Sequence, residues 1–122
     1  MALWMLGPDY ESIGDRRLKR TKTRKQHERE VYALVDKRDG MTCRCCSGRM
    51  TKSLTIEPRR REHHHVVPRS AGGVTETWNI VAICFGCHEQ ITRHQIECSG
   101  NADDELRFTR GAELWRSPAP TE

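Results

Sequence analysis

The chain has 122 residues, 35% hydrophobic and 31% charged, with a formal net charge of +4 and a mean hydropathy of −0.79. That length fits one small domain with tails, and that polarity excludes a membrane span and leaves little apolar surface for a self-sufficient core. Six cysteines offer the missing cross-links.

Met1 to Leu6 lacks a basic leading region, and its apolar run stops at Gly7-Pro8, so no secretory signal is expected. The expected location is cytoplasmic, where closely spaced cysteines read as metal ligands rather than disulfides. Residues 1–22 form a basic arm broken by Gly7-Pro8 and Gly14. Arg16, Arg17, Lys19, Arg20, Lys22, Arg24 and Lys25 crowd its end with no acid after Asp15. Such a block suits a phosphate backbone, since each neutralised phosphate releases counterions; a solvated basic tail is the alternative.

The domain is expected over 23–116, with 117–122 as a tail. Val31, Leu34 and Val35 repeat at helical spacing within a predicted helix from about Thr23 to Lys37, which Asp39-Gly40 ends. Cys43 to Gly48 reads as a knuckle turn. Leu54 to Glu57 alternates like a short strand until Pro58, and a second basic cluster follows at Arg59, Arg60 and Arg61. His63 to Val67 is a second strand candidate, closed by Pro68. Gly72-Gly73 opens a loop that reaches Asn79, and Ile80 to Ile83 is a short buried run. The segment after Cys84 is predicted helical to about Gln95. Leu106–Arg110 and Ala112–Trp115 flank Gly111 as a terminal hairpin. The fold class is α+β.

Cys43-x-x-Cys46 and Cys84-x-x-Cys87 are two knuckles separated by 37 residues. Each x-x spacing lets one turn present two sulfurs at the bond length zinc requires, and tetrahedral Zn²⁺ accepts four thiolates. The predicted ion is structural and closes the loop that holds the histidines, so binding it contributes to folding. Redox chemistry at the two pairs is the rival reading, which the histidine pattern beside them argues against. Cys45 is a spare thiol and Cys98 a buried small residue in this scheme.

The central stretch is His63-His64-His65, followed by Val66-Val67-Pro68-Arg69-Ser70-Ala71-Gly72-Gly73, then Asn79, then His88 directly after the second knuckle. Imidazole is suited to general-base work near neutrality and ligates divalent ions. From about Val31 to Thr92 the sequence resembles the HNH (ββα-metal) endonucleases, in a four-cysteine zinc-containing branch. The resemblance rests on Lys37 to Gly40, on His64 to Gly73, on Asn79, and on Cys84-x-x-Cys87-His88.

Counting back from Pro68-Arg69-Ser70-x-Gly72-Gly73, the resemblance implies that His64 and His88 hold a catalytic divalent cation. It implies that His65 is the general base and that Asn79 orients the loop carrying it. The implied cation is Mg²⁺, Mn²⁺, Ni²⁺ or Zn²⁺, and the implied reaction is hydrolysis of DNA phosphodiester bonds by nicking or cutting. Strand alternation alone would instead pair His63 with His65 and exclude His64, so this register needs a strand that ends or twists near the pair. Arg69 can pair with a phosphate bidentately, or simply face solvent. His27 and His94 are expected as surface residues, with His94 turned away from His88.

The expected partner is duplex DNA, with Arg69, Arg59, Arg60, Arg61, Arg20, Lys22, Arg24 and Lys25 as nucleic-acid contacts. No membrane is expected. The chain is expected as a monomer or homodimer, alone or within a phage or restriction assembly. The alternative from another class is a non-catalytic, zinc-stapled nucleic-acid-binding module or accessory subunit. Joint retention of His64, His65, Asn79 and His88 speaks for catalysis.

Overall fold

Thr23 begins helix α1, Arg24–Asp39, in the computed structural model, which describes residues 22–117. Arg20 and the remainder of the arm before Lys22 lie outside the described residues, as do residues 118–122. The Thr23 hydroxyl accepts from the Gln26 N–H at 3.0 Å, and the Gln26 side chain accepts from the Thr23 N–H at 2.8 Å, so two helix-end donors are satisfied reciprocally. Gly40, at φ 64°, ends the helix and returns its N–H to Asp36 O. Val31 and Val35 are buried. Leu34, expected beside them, is 56% exposed. The helix buries only the i, i+4 row of Val31, Val35 and Asp39.

That strand is β2, Ile80–Cys84, paired antiparallel with β1, Arg61–His65, so that His64 faces Val81 and His65 faces Ile80 across the ladder. All five residues of β2 are buried, which accounts for its continuous apolar run. Helix α2, Phe85–Thr92, starts directly from β2, with Cys84 in the capping position. Strand, strand and helix thus follow in the order that a ββα unit requires.

A second sheet of β3, Glu97–Gly100, β4, Leu106–Arg110, and β5, Glu113–Ser117, runs β3-β4-β5 and is antiparallel throughout. The hairpin between β4 and β5 lies where the sequence places it, with Gly111 at φ 62° opening a two-residue turn. Phe108 and Leu106 are fully buried, and Trp115 stacks on Phe108 at 5.8 Å while donating from Nε1 to Cys45 O at 2.8 Å. The second sheet is thereby tied to the first knuckle.

Three expected boundaries move. Leu54–Glu57 is not a strand: Leu54 is 99% exposed, and this stretch only spans the loop closed by the isolated bridge between Thr51 and Arg60. Its alternation has no surface to face. β1 spans Arg61–His65 rather than His63–Val67, because the Val67 N–H goes to the Asn79 side chain. α2 ends at Thr92, short of Gln95, and His94 leaves it at φ 61°.

A buried ion network fixes α1 to the rest. Asp39 receives Arg38 Nε and Nη2 at 2.7 and 2.9 Å, Arg44 Nη1 at 2.7 Å, and the Ala82 N–H of β2 at 3.0 Å. Arg38 also donates to Thr77 O and Ile80 O, and Arg44 to Ser117 Oγ. One carboxylate therefore joins a helix end, the buried strand β2 and, through Arg44, the last strand β5. Among the described residues no helix is long and apolar enough to cross a membrane.

Candidate metal centre and active site

The thiols of Cys43, Cys46, Cys84 and Cys87 lie within 4.8 Å of one another. A tetrahedral zinc with bonds near 2.3 Å would set sulfurs about 3.8 Å apart, so the donor set and its size suit zinc. Cys46 and Cys84 Sγ are already 4.0 Å apart. Three backbone N–H groups, of Cys45, Cys46 and Cys84, aim at Cys43 Sγ at 3.3–3.4 Å. The hydrogen bond with Cys87, then burial, pushes the Cys43 thiol up to about 12. Crowded buried thiols hold their protons, and a divalent cation supplies the positive charge that lets them ionise together.

Cys45 is buried but stands outside this group, and Cys98 is half-buried in the wall of a cleft described below. Arg59 lies across the first knuckle. Its Nε donates to Arg49 O at 2.8 Å and its Nη1 approaches Cys46 Sγ at 3.9 Å. Gly48 makes the room, since a β-carbon there would fall 1.8 Å from Arg59 Nη2.

The histidines obey strict alternation. Arg61, His63 and His65 turn toward α1, and Glu62 and His64 toward α2. His63 stacks flat on Tyr32 at 4.4 Å and donates from Nε2 to Asp36 Oδ1 at 2.7 Å, so it docks β1 on the helix. His64 meets His88 edge-on, with ring centroids 5.3 Å apart. Glu62 Oε1 accepts from His88 Nδ1 at 2.9 Å, which leaves Nε2 of His88 as its acceptor atom. Arg60 in turn holds Glu62, with Nε on Oε2 at 2.9 Å. Burial works against ionisation of Glu62, but the hydrogen bonds from His88 and Arg60 outweigh it and keep the carboxyl below its ordinary range.

His65 closes β1 from the other face. Its Nε2 lies 3.3 Å from Thr75 Oγ1 and 3.3 Å from Arg69 Nε. A cleft of about 680 Å³ nonetheless reaches His64, His65 and His88 together, along with Arg69. No twist within the strand is needed, because β1 ends at His65 and the chain turns away there.

Burial, then the imidazoles of His88 and His65, pushes His64 down to about 4. Burial, then Arg69, lowers His65, with the Glu28 carboxylate opposing and His63 adding to the effect. Both rings are therefore neutral near pH 7, the form in which imidazole ligates a cation or accepts a proton.

Asn79 is fully buried beneath the loop. Its Oδ1 accepts from Val67 N at 2.8 Å, and its Nδ2 donates to Val67 O at 3.0 Å and to Val74 O at 2.8 Å. The loop from Val66 to Val74 is thus gathered on one amide, directly after His65. Gly73 packs against the loop's own start, where a β-carbon would fall 1.7 Å from Val67 O.

Most of the expected basic contacts within the described residues have a partner of their own. Arg59 lies on Cys46, Arg60 on Glu62 and Arg61 on Asp36, while Lys22 pairs with Glu30 and Arg69 with Glu28. Arg24 and Lys25 are exposed in the first turn of α1. His94, expected to turn away, is exposed but stands at the rim of the cleft, because its positive φ redirects the chain after α2.

Glu62, Thr75 and Glu28 were not singled out in the sequence. Glu62 carried a usable signal, lying two residues before His64 on the same strand face. Glu28 and Thr75 carried none, being brought to His65 by tertiary packing alone.

A paired strand unit, a following helix with a histidine in its first turn, and a thiol cluster at the junction make up the segment that a known family matches. Residues 43–94 match the model of the HNH endonuclease family. No curated protein is similar enough to the chain to count as a relative. The HNH segment holds both knuckles, His64, His65, Asn79 and His88, and the resemblance read from the sequence is borne out. At the family level the HNH match ties the chain to nuclease function and implies a nucleic-acid substrate.

Proposed function

We propose that the protein is a metal-dependent endonuclease that hydrolyses phosphodiester bonds of duplex DNA by nicking or cutting. The observation that carries this reading is the meeting of His64 and His88 on one side of β1, with His65 ending that strand at the same cleft. The residues fit a divalent cation: the imidazoles of His64 and His88 converge, His64 is held neutral by burial, and His88 is oriented by a carboxylate.

His64 and His88 would hold the ion, Mg²⁺, Mn²⁺, Ni²⁺ or Zn²⁺. When bound, it supplies Lewis acidity to a phosphoryl oxygen and to the departing 3′ oxygen. His65 accepts the proton of the attacking water, and its lowered basicity keeps it unprotonated at neutral pH. Asn79 keeps the following loop, and hence His65, in place. Arg69 binds a backbone phosphate beside the base. The products carry 5′ phosphate and 3′ hydroxyl ends. The four-cysteine cluster holds a structural zinc that takes no part in the chemistry.

The test is incubation of zinc-loaded protein with supercoiled plasmid, adding EDTA or each divalent cation, beside His65→Ala. Cation-dependent nicking should appear and collapse in the variant, whose zinc content and thermal transition stay intact. Cutting that persists in His65→Ala would remove it as the base. Absence of cutting with every cation, despite tight DNA binding, would leave a zinc-stapled binding module.

A further inference from the structure

Two guanidinium groups from separate parts of the chain converge on one carboxylate beside His65. Arg69, from the loop after β1, places Nη2 on Glu28 Oε2 while its Nε touches His65 Nε2 at 3.3 Å. Arg24, in the first turn of α1, brings its Nε to 3.7 Å from the same Glu28 oxygen. Glu28 is mostly covered, whereas Arg24 and Arg69 remain open to solvent. His27, next to Glu28, braces the same loop, its Nε2 lying 3.1 Å from Thr75 O.

We propose that Arg24 and Arg69 form a subsite for a nucleic-acid backbone phosphate next to the one cleaved, and that the Glu28 carboxylate fills it in the free protein. The inference rests on the nuclease reading above. A carboxylate held by two guanidiniums marks where an anion is favoured, and phosphate presents the same paired oxygens. The location follows from strand alternation: Glu62, His64 and His88 occupy one side of β1, and His65, Arg69 and Glu28 the other. A strand of nucleic acid with its scissile phosphate in the cleft shared by His64, His88 and His65 carries the next phosphate past His65 to the side of Arg69. In sequence, Arg16 to Lys25 carries seven Lys and Arg residues and no acid, a charge density that attracts a polyanion. On binding, phosphate replaces Glu28 at Arg69, and the freed carboxylate turns to solvent at the surface of α1.

The experiment is fluorescence anisotropy with a short labelled duplex and zinc-loaded protein, at fixed ionic strength and with no other divalent cation. Removing the internal competitor in Glu28→Gln should tighten binding about twofold to fivefold, the range expected of a partly exposed ion pair. The gain should vanish when Glu28→Gln is made in an Arg69→Gln background. An equal gain in both backgrounds would reduce the effect to net charge and overturn the subsite, as would unchanged or weaker binding by Glu28→Gln alone. Inorganic phosphate at matched ionic strength should not displace the duplex; displacement would assign the site to the free anion instead. Wild-type binding with no Glu28→Gln gain sinks the subsite only, whereas no duplex binding by any form takes the nuclease reading with it.

Discussion

Asn79 and Val67 exchange two hydrogen bonds, amide to peptide, across the base of the loop that follows His65. The side chain acts as a surrogate strand neighbour, so the backbone past β1 is satisfied without continuing the ladder. That is what allows the strand to stop at His65 and its imidazole to line the cleft.

Asn79→Asp keeps an acceptor for Val67 N but loses both donors, setting a carboxylate against Val67 O and Val74 O. The expected cost is about 3 kcal/mol of stability, typical of buried polar groups left unmatched. Plasmid nicking should fall at least about tenfold at temperatures where the variant is still folded, since a misplaced base loses proximity. Thermal denaturation beside nicking rates checks both, and wild-type rates in the folded variant would remove Asn79 from the positioning of His65.

His64 gives a pH signature with a definite sign. Its folded-state value lies near 4 against an ordinary 6.5, so the unfolded chain binds more protons between those limits. Its contribution to stability is present above pH 6.5, falls as pH drops, and is lost by about pH 4. Melting temperature followed across that window, with no catalytic cation added, should decline more steeply for wild type than for His64→Gln. Comparing the two isolates His64 from acid release of zinc, which both share. Parallel curves would contradict the burial assigned to this ring.

The Arg59 guanidinium over Cys46 predicts a role in holding the thiolate cluster. Gly48→Ala would evict it, because the new methyl group occupies its place, and the cost in folding is small since a flexible side-chain end yields. Zinc transfer to a chromogenic chelator should accelerate about tenfold in both Gly48→Ala and Arg59→Ala, in line with loss of an outer-shell partner. Release at the wild-type rate in both would show that the approach to Cys46 is incidental.

Asp39→Asn should be the most damaging of these changes. Arg38 and Arg44 would face a neutral amide in a buried setting, a loss of about 3–5 kcal/mol. That is a large part of the total stability of a domain this size. The urea midpoint should fall accordingly, and a shift under about 1 kcal/mol would show that water reaches the network.

Much of this arrangement is legible in the chain itself. The two Cys-x-x-Cys pairs fix the thiol cluster by spacing alone, and Thr23, Asp39 and Gly40 mark the ends of α1 by local chemistry. The hairpin at Gly111 is equally local. What escaped is what depends on a partner surface. Leu34 and Leu54 carry the right periodicity, but no element lies opposite them. β3 needs β4 to exist, and its residues Glu97 to Gly100 carry no pattern of their own. The positions of His64 and His65 were legible as a pair, but the companions of each were not. Arg69 reaches Glu28 over 41 residues of sequence, and His88 reaches Glu62 over 26.

The alternation along β1 carries a last consequence, for how this protein tolerates changes of length. His64 and His65, the proposed ligand and base, are neighbours on a strand whose far end is pinned at the thiol cluster, where Arg61 pairs with Cys84 and Phe85 N donates to Arg60 O. Parity is therefore the protected quantity. One residue inserted between Arg61 and His64 would exchange the two sides, handing His64 to α1 and His65 to α2. Two residues would restore the sides but carry the pair a step of about 6.6 Å away from His88. Surface loops such as that bearing Leu54 face no such counting rule, and changes of chain length should accumulate there.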